Sequence, residues 1–210
     1  MKYTLLVAAL VSLLFTSCGD SKNETSDNFD YNVTQFEDIK ILRYQIPSWD
    51  NLTLKEQKLV YYLSQAGLEG RDIIWDQNYR HNLAIRKSFE QIYTTYQGDK
   101  ESQDWVNFEV YIKRVWFANG IHHHYSNAKM KPAFSADYLQ SLLTDTGATL
   151  TSDAFAVLFN DKDAKKVNLT KDVDNVLLSA VNFYGPGVTT ADVENFYKAK
   201  ISPDPKRPLS

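Results

Sequence analysis

The stretch from Ser102 to Phe117 constrains the fold more than any other part of the chain. Trp105, Phe108, Ile112 and Trp116 recur at helical spacing and form one apolar stripe, and Val106, Val110 and Phe117 form a second. A helix apolar on two sides is expected to lie between other elements rather than on a surface. It is expected to stop at Asn119-Gly120, residue types that accept the left-handed backbone of a helix C-cap.

The residues flanking this helix predict further helices. Thr53-Leu-Lys-Glu56 is a capping box, and it opens a helix with Leu59, Leu63 and Ala66 on one stripe and Val60 and Tyr62 beside it. Gly67 and Gly70 loosen its far end. A second helix is expected over about Tyr79 to Tyr96, with Ile85, Phe89, Ile92 and Tyr96 inward. Beyond the central helix, Pro132 and Ser135 set up a start for Tyr138, Leu139, Leu142 and Leu143, and Ser152-Asp153 caps a segment through Phe159. Thr189-Thr-Ala-Asp192 caps a last helix to about Lys200. Phe36 to Ile46 reads as a strand or extended arm, and Val173 to Asn182 fits either strand or helix. The class expected is α+β, predominantly α-helical.

The N-terminus reads as a targeting segment. An apolar run from Leu5 to Phe15 is too short to span a membrane and ends at Thr16-Ser17-Cys18, the pattern of a lipoprotein signal. Residues 1–17 are then the signal peptide. Cys18 becomes the lipidated first residue, and 18–30 is a polar tether to the folded portion, 31–210. The competing reading is a soluble secretory signal with an incidental cysteine. Lipidation places the protein in the cell envelope, on the periplasmic or outer surface. Cys18 is the only cysteine, so its use as an anchor leaves no disulfide and no thiol nucleophile. A net charge of −3 argues against nucleic acid as a partner.

Chemistry concentrates in Val115 to Ser126, which leaves the central helix and presents three of the chain's four histidines together with Tyr125. Thirteen Tyr, eleven Phe and four Trp give the chain many flat rings of the kind that line peptide and sugar sites. Adjacent residues project in diverging directions, so His122, His123 and His124 are a poor metal set. Either one or two of these imidazoles, with Tyr125, hydrogen-bond a ligand's backbone, or one is a satisfied histidine beneath a loop and the others are wet. Trp75, Trp105 and Trp116 read as core, and Arg71-Asp72 as a local ion pair. Neighbouring carboxylates such as Glu69 with Asp72, or Asp172 with Asp174, read as solvated faces. Phosphate loops, dinucleotide fingerprints, Gly-x-Ser-x-Gly and His-Glu-x-x-His are absent from the sequence.

Several strings resemble the dipeptidyl peptidase III family, zinc exopeptidases that release dipeptides from peptide N-termini. They are Arg114 to Gly120, His122 to Ser126 with Lys129 and Pro132, Leu59 to Ala66, Gly70 to Ile73, and Phe183 to Thr190. The likeness is to the bacterial, lipoprotein-like branch and covers about Phe36 to Ser210. It implies a partial lower-lobe region of a two-lobed fold, the lobe without the zinc, where substrate lies extended along a sheet edge. It also implies substrate contact by Tyr125 and, more weakly, by Asn119, His123 and His124. The family's His-Glu-x-x-Gly-His helix and downstream glutamate do not occur in this sequence. The resemblance therefore implies no catalytic residue here, no metal bound by this chain, and zinc carried by a missing C-terminal part of the same enzyme. The alternative, from a different class, is a non-catalytic peptide-binding surface lipoprotein.

Overall fold

A computed structural model describes residues 29–162, 164–201 and 206. The signal peptide, Cys18 and most of the tether lie outside the described residues. The chain divides into two compact units, one ending at Pro47 and one beginning at Ser48. The class is α+β and predominantly helical, with one two-stranded sheet among the described residues. None of the described helices is long and apolar enough to cross a membrane.

The first unit is a hairpin. Strands β1 (Asn32–Phe36) and β2 (Ile39–Leu42) pair antiparallel, with Thr34 opposite Ile41 and Phe36 opposite Ile39, and the register slips between Asn32 and Thr34. Glu37 takes the left-handed backbone at φ 45° that the tight turn requires. The strand or extended arm expected from Phe36 to Ile46 is strand only at Phe36, where β1 ends, and over Ile39–Leu42. A turn at Glu37-Asp38 interrupts it, and pairing with the preceding residues satisfies β2's backbone locally. Arg43 closes the open end: its Nε donates to the Asp30 carbonyl at 2.7 Å and its guanidinium lies 4.9 Å from the Phe29 ring centroid.

The second unit holds seven α-helices among the described residues: α1 (Leu54–Glu69), α2 (Arg71–Asn78), α3 (Asn82–Thr95), α4 (Gln103–Ala118), α5 (Ala136–Thr146), α6 (Ser152–Phe159) and α7 (Thr190–Lys198). Side-chain caps begin five of them. Thr53 with Glu56 and Thr189 with Asp192 form capping boxes, and Ser102 and Ser135 each accept a first-turn amide. The cap of α6 is Thr151 rather than Ser152, which is already helical; the Thr151 hydroxyl accepts from the Ala154 amide.

The core forms where α3, α4, α5 and α6 meet. Ile85, Phe89 and Ile92 of α3 face Trp105, Phe108, Ile112 and Val115 of α4, with Leu139, Leu142 and Leu158 behind them. Phe89 meets Phe108 edge-on at 5.3 Å, and Tyr96 stacks on Trp105 at 4.6 Å. Trp75 and Trp105 are core residues as expected, and Trp116 is half-buried.

Two apolar surfaces stay uncovered, one on α4 and one on α1. The buried face of α4 runs through Phe108, Tyr111, Ile112 and Val115, while Val106 and Phe117 of the second stripe stay exposed. On α1 no residue is buried, and Leu59 and Leu63 are 58% and 63% exposed. Its apolar residues run consecutively from Leu59 to Leu63 and so circle the helix, giving it no single inward face.

Two further expectations are revised. Arg71 and Asp72 start a helix of their own and do not pair. Asp72 binds Arg86 at 2.7 Å, and Arg86 also holds Glu90 at 2.8 Å. Consecutive helical side chains point about 100° apart, which carries Arg71 away from its neighbour. Val173 to Asn182 is neither strand nor helix but a run of turns. Its organiser is Asp174, whose carboxylate accepts from the amides of Val176, Leu177 and Thr190 and from the Thr190 hydroxyl.

The Leu177 amide, followed by the amide and hydroxyl of Thr190 and the Val176 amide, holds the Asp174 carboxyl below its usual range against the opposing pull of desolvation. A carboxyl with a depressed folded pKa contributes its full stability above the unfolded pKa, about 3.9. That contribution is lost as pH falls through the lower folded value. The Thr190 amide resonance is therefore expected to titrate with a midpoint below about 3.9 and to lose that inflection in Asp174→Asn. A midpoint at or above the unfolded value would contradict the tie.

Candidate functional site

The loop after α4 is built by backbone geometry and two asparagines. Asn119 takes the left-handed conformation (φ 51°, ψ 45°) that ends the helix, and its amide returns to the carbonyls of Val115 and Trp116. Gly120 follows at φ 148°, and its amide also reaches Val115 O at 3.0 Å. The Asn78 side chain, at the end of α2, donates to the Asn119 carbonyl at 3.0 Å. Asn82, 1% exposed at the start of α3, accepts from the Ile121 amide at 3.2 Å. The two clamps bridge 41 and 39 residues of sequence, so no local pattern announces them.

Beyond Ile121 the chain makes a short hairpin. His122 forms a bridge with Lys129, the Met130 amide donates to Ile121 O, and the His123 amide donates to Ala128 O. The bridge at His122 and the turn over His124 to Ser126 sort the three histidines. His122 turns inward, 2% exposed, and its Nε2 sits 2.9 Å from the Ala164 carbonyl, to which it donates. His123 and His124 are half-buried, and Tyr125, 84% exposed, is the tip.

The outward rings form a ladder. His124 lies 4.5 Å from His123, 4.3 Å from Tyr125 and 4.9 Å, edge-on, from Phe117. His123 Nδ1 accepts from the amides of both Tyr125 and Ser126, so its ring acts as an internal cap for the turn. That bonding leaves the ring proton on Nε2. Desolvation keeps His124 below the ordinary histidine pKa, and the electrostatic influence of His123 and Lys166 pushes the same way. Lys129 anchors the second strand of the hairpin: its ammonium donates to the Val157 carbonyl at 2.6 Å and to the Asn160 carbonyl, covering the C-terminal end of α6.

Of the residues singled out from sequence, His123, His124 and Tyr125 come together through their rings. Asn119 joins them through Phe117, because both line a cleft between α2, α3 and α4. Sequence reasoning placed Phe117 in the core and paired Arg71 with its neighbour, and so missed both as cleft residues.

Among the described residues no group of three or more His, Cys, Asp or Glu side chains is placed to hold a metal ion.

No model of a known protein family matches the chain, and no curated protein matches it. The likeness to the dipeptidyl peptidase III family rests on the strings quoted above.

Proposed function

We propose that the loop from Asn119 to Ser126 holds an extended peptide, and that the chain supplies the N-terminal, substrate-cleft part of a zinc-dependent dipeptidyl peptidase. The observation that carries the peptide reading is the ring ladder His123-His124-Tyr125. Its tip is almost fully exposed, yet its backbone is fixed at both ends by Asn78, Asn82, Lys129 and the hairpin amides. An aromatic surface held in place before binding loses little entropy on contact, which favours recognition. The peptidase reading draws on the quoted strings. It is supported by α1, since an exposed apolar run such as Leu59 to Leu63 is ordinarily covered by further polypeptide.

In this reading the helical unit is part of the lobe without the zinc. The ion and the glutamate that would activate water belong to residues outside this sequence. A bound zinc would polarise the second peptide bond from the substrate's N-terminus, while the residues of this chain hold the peptide. Lipidation at Cys18 would tether the protein to the cell envelope.

The test is binding. Tyr-Ala-Tyr-amide titrated into the full chain should bind about tenfold more weakly to Tyr125→Ala, the loss expected for one aromatic contact. The melting temperature should stay unchanged, because Tyr125 buries almost nothing. Equal affinity for the two chains would remove Tyr125 from the site.

A further inference from the structure

Behind the ring ladder lies a cleft of about 330 Å³. It is lined by Trp75, Trp116 and Phe117 together with Arg71, Arg86, Glu90 and Asn119. The ion pairing there is uneven. Arg86 takes two carboxylates, Asp72 at 2.7 Å and Glu90 at 2.8 Å, and also lies 5.3 Å from the centroid of the Trp75 ring. Arg71 is left without an ion pair or hydrogen bond among the described residues. The side-chain amide of Asn119 is likewise unused, since the bond from Asn78 goes to its backbone carbonyl.

An unpaired guanidinium and a free amide lining an aromatic cleft match a planar anion. The guanidinium fork fits a carboxylate through two parallel N–H donors. Phe117 links this cleft to the ladder, because it lines the cleft and its ring is the edge-on neighbour of His124 at 4.9 Å. A ligand lying on His124 can therefore continue across the Phe117 ring, 4.9 Å away, toward the cleft.

We propose that this cleft is a carboxylate subsite, in which Arg71, assisted by Asn119, binds an acidic group of the peptide held by the loop. The assignment rests on the peptide reading above and names the substrate class it favours. The carboxylate comes from an acidic side chain or from the peptide's C-terminus, and the chemistry of recognition is the same.

Four probes separate the two sources: Tyr-Ala-Tyr as free acid and as amide, and the amides of Tyr-Asp-Tyr and Tyr-Asn-Tyr. Each is titrated calorimetrically into the full chain and into Arg71→Gln. The acidic member of at least one pair is expected to bind about three- to tenfold more tightly than its neutral twin, as for one partly exposed charged pair. The pair that shows the preference identifies the source. The preference should vanish in Arg71→Gln while the neutral twins bind as before. Arg71→Gln should keep its circular dichroism and melting temperature, since the Arg71 side chain makes no bond in the fold.

Neutral and acidic peptides binding alike would overturn the subsite and leave the peptide reading intact. A preference that survives in Arg71→Gln would place the cation elsewhere and overturn it too. No binding by any of the four would sink both.

Discussion

Gly120→Ala is expected to destabilise the helical unit by about 3–5 kcal/mol, out of proportion to one added methyl group. Two costs add. At φ 148° the backbone of Gly120 lies where L-residues are strained, and a Cβ there would stand 2.2 Å from the Asn82 side-chain nitrogen. Asn82 cannot step aside cheaply. It is 1% exposed, and its carbonyl oxygen holds the Ile121 amide, so any movement opens the first bond of the histidine hairpin. Gly147 provides the control. It also has a positive φ, 66°, but nothing lies within 4 Å of its Cβ position. Gly147→Ala should therefore cost only the conformational strain, about 1 kcal/mol. Urea melts of the two variants compare them directly. Equal midpoints would mean that the Asn82 contact does not brace the turn.

Phe108→Ala is expected to cost about 3–5 kcal/mol and to lower the melting temperature by roughly 10 °C. Phe108 is fully buried, and its ring meets Phe89 at 5.3 Å, Trp105 at 5.4 Å and Phe134 at 5.6 Å. Two helices, α3 and α4, and the segment before α5 therefore lose packing at once. The effect should reach the site only indirectly. Phe134 packs on Tyr111 at 5.7 Å, and the Tyr111 hydroxyl donates to the Met130 carbonyl in the histidine hairpin. Peptide affinity measured well below the melting point should change less than twofold, since the Asn78 and Asn82 clamps remain. A loss of stability under about 1 kcal/mol would show that the core can collapse around the missing ring.

The parts of the fold that were legible in the sequence are those set by neighbours along the chain. Thr53, Ser102, Ser135 and Thr189 sit where their hydroxyls can reach amides three residues on, and all four do so. Asn119-Gly120 ends α4 because these two residue types tolerate its backbone angles. The inward set of α3 follows from its 3.6-residue period. What the sequence did not disclose depends on distant partners. The α4 stripe containing Val106 and Phe117 is as apolar as a buried one, and only the placement of the other helices leaves it uncovered. Arg86 reaches Asp72 across 14 residues, and this long reach is what leaves Arg71 without an anion.

The same division holds at the candidate site. Three consecutive histidines mark the loop, but the sequence does not say which of them turns inward. The bridge between His122 and Lys129 decides that, burying one ring and presenting the next two beside Tyr125. Asn78 and Asn82, which brace the loop, carry no local signal, because asparagine near a helix end is common for reasons of capping alone.

The central claim is that the ring ladder after α4 is a peptide-holding surface. Amide chemical-shift mapping of the full chain with Tyr-Ala-Tyr-amide tests it most directly. The account predicts saturable shifts centred on Asn119 and on His123 through Ser126, with nuclear Overhauser contacts from the peptide rings to Tyr125. Saturable binding whose shifts fall elsewhere, or the absence of binding at millimolar peptide, would contradict it.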